Sequence, residues 1–296
     1  MKNNNILIVN PISGGLDKSA LIESVNFFVE KYKITLSTYY TSGVSDIDEI
    51  KELCNLLKPD RIIIAGGDGT IKMVAEAVQE FDVIIGILPA GSANGLAVDL
   101  NLPETIEQNL EIAFFNHYME VDIICINGKK SIHLSDLGLN AEMIKNYENS
   151  AIRGKLGYAL QSLYTLADLD DPFIVTITGE FPTVICEARM IVIANSQKYG
   201  TGITINPNGK MDDGKFELVI LKNMDLIVLG KIITGNIPIE TNDVQIISTE
   251  KATILTNVPV SFQIDGEYCG MEKQLDITIL PRQMKVAIPK LQQIII

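Results

Sequence analysis

The sequence has no tryptophan, only two histidines and four cysteines that show no paired spacing. His117 and His133 have no partner at ligand spacing, so we do not expect a histidine-based metal or nucleophile site. The scattered cysteines predict buried thiols in a reducing compartment, and they argue against disulfides or a zinc site.

Basic residues are also scarce, since 24 Lys and Arg stand against 37 Asp and Glu, for a net charge of −13. A nucleic-acid partner needs a basic face, so none is expected, and purely electrostatic docking on anionic lipid is disfavoured as well. The chain has no run approaching the ~18 apolar residues of a membrane-spanning helix, and its start lacks the apolar segment of a signal peptide. We therefore expect a cytoplasmic protein whose membrane contact, if any, is peripheral and at the inner surface.

The chain is long enough for two domains, and its pattern changes along its length. Strands and helices alternate over residues 1–127, which predicts an α/β domain. Short strands with frequent turn residues fill 128–282 and predict a β-sandwich-like domain, interrupted by helices at about 136–168 and 226–234. The tail, 283–296, has an apolar end and is expected to pack back on the first domain.

A short stretch in the first half combines a buried strand with a glycine-rich turn. Ile62–Ala65 is too short and too apolar for anything but a buried strand, and Thr70 is expected to cap a helix that starts at Ile71. The glycines between them allow close approach of a ligand; they are Gly66, Gly67 and Gly69. A strand, a glycine turn and a helix N-terminus together predict an anion site, because free N–H groups and the helix dipole point at the turn.

Asp68 lies in the middle of that turn. A carboxylate beside a phosphate is repulsive unless a divalent metal lies between them or the carboxylate handles a proton. The turn therefore predicts phosphate, metal and chemistry together. The alternative is a tight turn that merely needs glycine, although one or two glycines would then suffice.

Two other polar turns follow apolar strands in the same half. Asn10–Gly15 follows the strand Ile6–Val9, and Pro89–Ala97 follows the strand Val83–Leu88. Ligands of open α/β sheets bind outside the carboxyl ends of the strands, so turns at neighbouring strands are expected to converge on one crevice.

Together these turns resemble motifs of the diacylglycerol kinase, sphingosine kinase and bacterial lipid kinase superfamily, whose first domain has a Rossmann-like sheet similar to those of NAD kinases and phosphofructokinases. The matching stretches are Asn10-Pro11-Ile12-Ser13-Gly14, Gly66-Gly67-Asp68-Gly69-Thr70, Pro89-Ala90-Gly91-Ser92-Ala93-Asn94, Asp212-Asp213-Gly214 and Asp265-Gly266-Glu267. The resemblance implies nucleotide contacts at Asn10, Thr41, Gly66, Gly67, Asp68, Gly69, Thr70, Ile71, Lys72, Gly91, Ser92 and Asn94.

The same resemblance implies ATP as phosphoryl donor, Mg²⁺ as cofactor and an acidic catalytic set. Glu267 is the first choice for the carboxylate that takes the acceptor's proton, and Asp68 the second. Asp122 would join Asp68 in an acidic network, although from its strand alone it could also be an exposed edge residue. A structural magnesium would be held by Asp213 and by the backbone carbonyls of Lys210 and Lys215; without the resemblance, that turn could equally be a polar hairpin loop.

Two positions depart from the family pattern. Gly95 stands where many diacylglycerol kinases have an aspartate, and Lys72 stands where bacterial relatives often have asparagine. Lys72 either adds a positive charge near phosphate or is a solvated helix lysine. The local basic cluster of Lys145, Arg153 and Lys155 likewise either flanks a lipid cleft or is a solvated helix face.

The expected function is ATP-dependent phosphorylation of a lipid hydroxyl, on a diacylglycerol-like or sphingoid-type acceptor at the membrane surface. One alternative is a kinase of NAD or another soluble substrate, because the Asp68 turn is shared. Another is a non-catalytic protein that binds nucleotide or lipid. An exposed strand edge in the second domain would suit a homodimer.

Overall fold

The computed structural model describes residues 4–15, 17–138, 172–199, 203–223 and 242–290. The chain divides into two compact units: Met1–Val121 together with Gln283–Ile296, and Asp122–Arg282. The boundary expected after residue 127 lies just past the strand Tyr118–Ile126, whereas the two units divide within that strand, between Val121 and Asp122. None of the described helices is both long enough and apolar enough to cross a membrane.

The first unit alternates strands and helices, as the sequence predicts. Its elements are β1 (Asn4–Val9), α1 (Ser19–Tyr32), β2 (Thr35–Tyr40), α2 (Asp46–Leu57), β3 (Arg61–Gly66), α3 (Asp68–Val78), β4 (Ile84–Pro89), α4 (Gly95–Asp99) and α5 (Ile106–Phe115).

The strands of this unit form a parallel sheet in the order β2-β1-β3-β4. A strand from the end of the chain, β16 (Glu267–Ala287), extends it, because Lys285 and Val286 pair in parallel with Ile84 and Ile85. The strand order reverses at β1, whose neighbours β2 and β3 lie on opposite sides. In open α/β sheets such a reversal creates the crevice at the carboxyl edge where ligands bind.

The centre of the sheet is buried on both faces, which explains its continuous apolar strands. Ile62, Ile63 and Ile64 in β3 are fully buried. One side of the sheet packs in a cluster with Phe28 of α1 and Phe114 of α5, whose rings stack with centroids 5.5 Å apart. This two-sided burial fixes β1, β3 and β4 and therefore the turns at their ends.

The second unit is built from strands in the described residues. They are β5 (Tyr118–Ile126, shared with the first unit), β6 (Lys129–Ser131), β7 (Leu134–Leu137), β8 (Phe173–Gly179), β9 (Val184–Ala188), β10 (Met190–Ala194), β11 (Lys198–Tyr199), β12 (Ile203–Thr204), β13 (Phe216–Leu221), β14 (Val244–Thr249), β15 (Lys251–Ile264) and most of β16.

Antiparallel pairing organises this unit in the order β14-β13-β10-β7-β15-β16. The long β15 also pairs with β8, and β8 pairs with β9. Apolar side chains from the main strand order and from the β8–β9 pair meet in one core that includes Phe173, Phe216 and Phe262. The second unit is therefore a β-sandwich domain, as expected.

Several strands do not follow the apolar runs of the sequence. The apolar run 184–194 is two strands, because β9 pairs with β8 whereas β10 pairs with β7 and β13. Conversely, 252–255 and 260–264 are one strand, β15, whose register shifts between Leu255 and Val260. The runs 275–280 and 284–288 likewise join in β16. Long strands tolerate polar or irregular residues where their partners continue on either side.

Asp136 was expected to begin a helix but lies in β7, paired with Val192 of β10 and Gln263 of β15. The rest of that predicted helix, including Lys145, Arg153 and Lys155, lies outside the described residues. The same holds for the predicted helix near 226–234 and for the apolar end of the tail, 291–296.

Candidate active site

Two glycine-rich turns are in direct backbone contact at the carboxyl edge of the first unit's sheet. A Cβ added to Gly91 would lie 2.5 Å from Cα of Gly67, which is closer than real Cβ contacts allow. The N–H of Ala90 donates to the carbonyl of Gly66 across 2.9 Å. The expected convergence of the turns after β3 and β4 is thus present, and glycine is required for it.

The turn after β1 joins them. Asn10 donates from Nδ2 to Thr70 Oγ1 at 3.0 Å, and Ser13 Oγ donates to the Ala90 carbonyl at 2.9 Å. Gly14 adopts φ 65°, and a Cβ there would lie 3.0 Å from the Ala90 carbonyl oxygen. Three of the predicted nucleotide-binding turns therefore form one connected cluster.

The helix after the central turn begins earlier than predicted. α3 starts at Asp68 with Gly67 as its N-cap, and the N–H groups of Thr70 and Ile71 both donate to the Gly67 carbonyl, at 3.0 and 3.1 Å. Thr70 is therefore not the cap; it lies in the first turn, and its hydroxyl accepts from Asn10. Glycine is an accepted N-cap residue, which the pattern-based assignment overlooked.

Asp68 has partners that the sequence did not reveal. Its Oδ2 accepts from the N–H of Gly95 at 2.9 Å, and its Oδ1 accepts from the N–H of Leu96 at 3.0 Å. The carboxylate thus links the start of α3 to the start of α4. Each oxygen keeps a further lone pair, so the group can still bind a cation.

Asn94 shapes the second turn through its own side chain. It adopts a left-handed conformation with φ 55°, accepts from the N–H of Gly91 at 2.8 Å and donates to the Gly91 carbonyl at 3.0 Å. By contrast, Ser92 and Gly69 are exposed, and Lys72 is half-buried. Ser92 and the N–H of Gly69 are thus on the surface of the protein.

A fourth turn follows β2. The N–H of Thr41 donates to the carbonyl of Val9, the last residue of β1, at 2.9 Å, so this turn starts beside Asn10. Asp46, at the start of α2, accepts from the N–H groups of Ser42 at 2.9 Å and Gly43 at 2.8 Å. Ser45 is at the N-cap position of α2 but makes no side-chain capping bond.

The protonation of Asp46 follows from these contacts. Burial opposes its ionisation, but hydrogen bonds from Ser42, Tyr39 and Gly43 outweigh burial and hold the pKa of Asp46 below its ordinary value. Burial and the carboxylates of Asp46 and Glu49 raise the pKa of Tyr39, whose hydroxyl therefore keeps its proton and shares it between the two carboxylates, at 2.7 and 2.9 Å.

We expect the stabilising effect of Asp46 to depend on pH. Because its folded-state pKa is lowered, its contribution is complete above the unfolded pKa of about 3.9 and is lost as pH falls through the folded value. Asp46→Asn should lower the free energy of unfolding by about 1–3 kcal/mol at pH 7 and by less below pH ~4. Urea unfolding at a series of pH values measures this; a difference that grows as the pH falls would contradict it.

Asp122 belongs to the second unit and is fully buried, so it is not an exposed edge residue. Its Oδ2 accepts from the N–H of Gly214 at 2.6 Å, and its Oδ1 accepts from the N–H of Arg282 at 2.8 Å. Its own N–H donates to the Met211 carbonyl at 2.7 Å. Asp122 thus holds the Asp-Asp-Gly turn against the last residue of the unit.

Asp122→Asn should therefore destabilise the protein, because a buried amide nitrogen would face one of the two N–H groups that now donate to the carboxylate. The expected loss is about 2–4 kcal/mol in free energy of unfolding. Asp212→Asn, an exposed aspartate of the same turn, is the matched control and should change stability by less than ~0.5 kcal/mol. Equal denaturation midpoints for the two variants would contradict a structural role for Asp122.

The predicted magnesium turn is ordered but exposed. Lys210, Asp213 and Lys215 all lie at the surface, and Asp213 Oδ1 accepts from the N–H of Lys215 at 3.1 Å. Within the described ranges, no three His, Cys, Asp or Glu side chains come together as a metal site. Asp213 is the one carboxylate in the expected ligand set, so a hard cation there would also need the backbone carbonyls of Lys210 and Lys215 and water, which is a coordination that Mg²⁺ accepts.

Glu267 is exposed at the first position of β16. It follows a tight turn in which Asp265 and Gly266 have φ values of 50° and 84°. The carboxylate of Asp265 accepts from Ser131 Oγ at 2.9 Å and from the N–H of His133 at 3.0 Å. Asp265 thereby fixes the turn that presents Glu267, a contact that the sequence did not predict.

Comparison with known proteins agrees with this architecture. The model of the diacylglycerol kinase catalytic domain matches residues 4–126, and the model of the YegS C-terminal NAD kinase beta sandwich-like domain matches residues 136–288. The chain is 28% identical to the diacylglycerol kinase of Bacillus subtilis (strain 168), covering 96% of each protein. It is 29% identical to a protein of Enterobacter sp. (strain 638) named "Probable lipid kinase YegS-like", covering 81% of each.

The fold has a close counterpart among solved structures. A crystal structure from Bacillus anthracis str. Sterne, provisionally described as a diacylglycerol kinase, superposes with a TM-score of 0.81 over 98% of both chains at 23% identity. At that identity the likeness concerns the fold. The two family models together cover most of the sequence in the expected order. The chain therefore belongs to the diacylglycerol kinase catalytic-domain family and carries that family's YegS-type C-terminal β-sandwich domain.

Proposed function

We propose that the protein is an ATP-dependent lipid kinase that transfers the γ-phosphoryl group to the hydroxyl of a diacylglycerol-like or sphingoid-type lipid. The observation that carries the proposal is the cluster of three connected turns at the carboxyl edge of the first unit's sheet. The curated relatives named as diacylglycerol kinase and lipid kinase support the same class of substrate.

Phosphoryl transfer depends mainly on positioning and on neutralising charge. The turns Gly66–Thr70 and Gly91–Asn94 would bind the nucleotide phosphates through backbone N–H groups. Asp68, whose oxygens each retain a lone pair, is the proposed ligand of the catalytic Mg²⁺, which neutralises phosphate charge when bound. Asp122 is proposed to support catalysis by holding its turn, since both its oxygens already accept backbone N–H groups.

The acceptor hydroxyl oxygen attacks the γ-phosphorus, the bond to ADP breaks, and the hydroxyl proton passes to a carboxylate. We propose Glu267 as that carboxylate, with Asp68 as the alternative. A positioned base contributes about 10²–10⁴-fold to rate, so Glu267→Gln should lose that much of kcat with little change in ATP affinity. Glu272 is half-buried on the same strand and provides a control, Glu272→Gln, which should keep full activity.

The test is transfer of label from γ-labelled ATP with Mg²⁺ to diacylglycerol, a sphingoid base, ceramide and phosphatidylglycerol in micelles, with NAD as a soluble acceptor. Label in one lipid supports the proposal and names the acceptor. Label in NAD alone would replace it with a soluble-substrate kinase. Intact ATP binding without transfer to any acceptor would replace it with a non-catalytic binding protein.

A further inference from the structure

The turn after β2 closes around the carboxylate of Asp46, which is 6% exposed. Three groups donate to it: the N–H groups of Ser42 and Gly43 in the turn, and the hydroxyl of Tyr39 from β2 at 2.7 Å. The Ser42 hydroxyl adds a longer contact of 3.3 Å. A carboxylate that accepts several hydrogen bonds while buried fixes the groups around it.

The backbone of this turn contains two residues in the left-handed region. Gly43 has φ 83° and Ser45 has φ 57°, and a left-handed conformation at serine is unfavourable without compensation. The N–H groups of Ser42 and Gly43 both point at Asp46 rather than outward. The Ser42 hydroxyl also bonds the backbone of Val44 at 3.0 and 3.2 Å, and the side chain of Asp46 adds the buried acceptor that holds Ser42 and Gly43 in this conformation.

The turn after β2 lies next to the predicted nucleotide-binding turns. Thr41 opens the turn and bonds through its N–H to Val9, immediately before Asn10. Asn10 in turn bonds Thr70 of the glycine turn. The turn after β2 is therefore connected to the cluster of turns to which the nucleotide is assigned above, through one backbone hydrogen bond at Thr41 and one side-chain hydrogen bond between Asn10 and Thr70.

We propose that Asp46 is a positioning residue for the nucleotide: it holds Thr41, Ser42 and Gly43 in the binding conformation before the nucleotide arrives. The inference rests on the proposed function, since it requires that ATP bind at this edge of the sheet. A loop that is already ordered loses little conformational entropy on binding, so the preorganised protein binds the ligand more tightly than one with a flexible loop. Tyr39 assists by orienting the carboxylate, while Asp46 itself does not contact the ligand.

The experiment measures ATP affinity by titration calorimetry of the full chain and compares Asp46→Asn with Asp48→Asn. Asp48 lies in the same first turn of α2 and is exposed, so its substitution changes helix-terminal charge equally but leaves the turn intact. Loss of the Asp46 carboxylate should weaken ATP binding by about 5- to 30-fold, which corresponds to the ordering entropy of about one backbone residue. Asp48→Asn should stay within about twofold.

Steady-state kinetics separate positioning from general damage. Asp46→Asn should raise the KM for ATP by a similar factor while leaving kcat and the KM for the lipid within about twofold. Tyr39→Phe removes one donor only and should give a smaller rise in the same direction. Amide hydrogen exchange should show Ser42 and Gly43 protected in the parent protein and faster in Asp46→Asn, with α3 amides unchanged.

Unchanged ATP affinity in a folded Asp46→Asn variant would overturn the inference and leave the kinase proposal standing. So would a fall in kcat at constant KM. If Asp46→Asn does not fold, unchanged affinity in Tyr39→Phe together with unprotected Ser42 and Gly43 amides in the parent protein would overturn it. A parent protein that binds no ATP at all would overturn the proposed function and, with it, this inference.

Discussion

Asp68→Asn should lower the rate of phosphoryl transfer by about 10²–10⁴-fold in a protein that still folds. The substitution removes the negative charge proposed to bind Mg²⁺ at the phosphates. It also places an amide nitrogen against the N–H of Gly95 or Leu96, which now donate to the two carboxylate oxygens. We expect that mismatch to cost about 1–3 kcal/mol of stability, which a domain of this size survives.

Asp60→Asn is the matched control for Asp68→Asn. Asp60 precedes β3, whereas Asp68 follows it, so the two aspartates stand at opposite ends of one strand. Asp60 is exposed, and its substitution should leave transfer within about twofold. Label transfer and thermal melting should be measured on all three proteins. A folded Asp68→Asn variant with normal transfer would remove Asp68 from the mechanism.

Gly91→Ala should abolish most nucleotide binding by forcing two turns apart. Its Cβ would lie 2.5 Å from Cα of Gly67 and 2.9 Å from Oδ1 of Asn94, so backbone must move by about 1 Å to restore van der Waals contact. We expect ATP affinity to fall at least tenfold and stability to fall by about 1–3 kcal/mol.

Gly69→Ala is the control for the stability of that variant. Gly69 lies in α3, and a Cβ there would meet nothing within 4 Å. Alanine favours a helix by about 1 kcal/mol over glycine, so the melting temperature of Gly69→Ala should equal or exceed that of the parent protein. Calorimetric melting measures the stability of the two variants, and ATP titration measures their nucleotide affinity. If Gly91→Ala bound ATP like the parent, the close approach of Gly67 and Gly91 would have no role in binding.

The convergence of the glycine turns was predictable because it follows from topology. Parallel strands end at one edge, and the runs before Asn10, Gly66 and Pro89 were long and apolar enough to be read as strands. For Asp122 the sequence left two alternatives, an exposed edge residue or a buried acid that would need partners, and the structure shows the second.

The partners themselves were beyond sequence reasoning. Asp122 is satisfied by the backbone N–H groups of Gly214 and Arg282, and Asp68 by those of Gly95 and Leu96. Every residue except proline has such a donor, so nothing in the amino-acid types marks the ones that a distant carboxylate will find. For the same reason the start of α3 was misplaced, since the N-cap was set by the extended backbone of Gly67 rather than by a side chain.

The end of β16 has a consequence for the order in which the protein can fold during synthesis. Lys285 and Val286 pair with β4, yet β4 leaves the ribosome about 200 residues earlier. Until they arrive, that side of β4 is an open strand edge able to recruit other chains. A nascent or truncated first unit should therefore depend on chaperones, and supplying a peptide of residues 283–290 should improve its solubility.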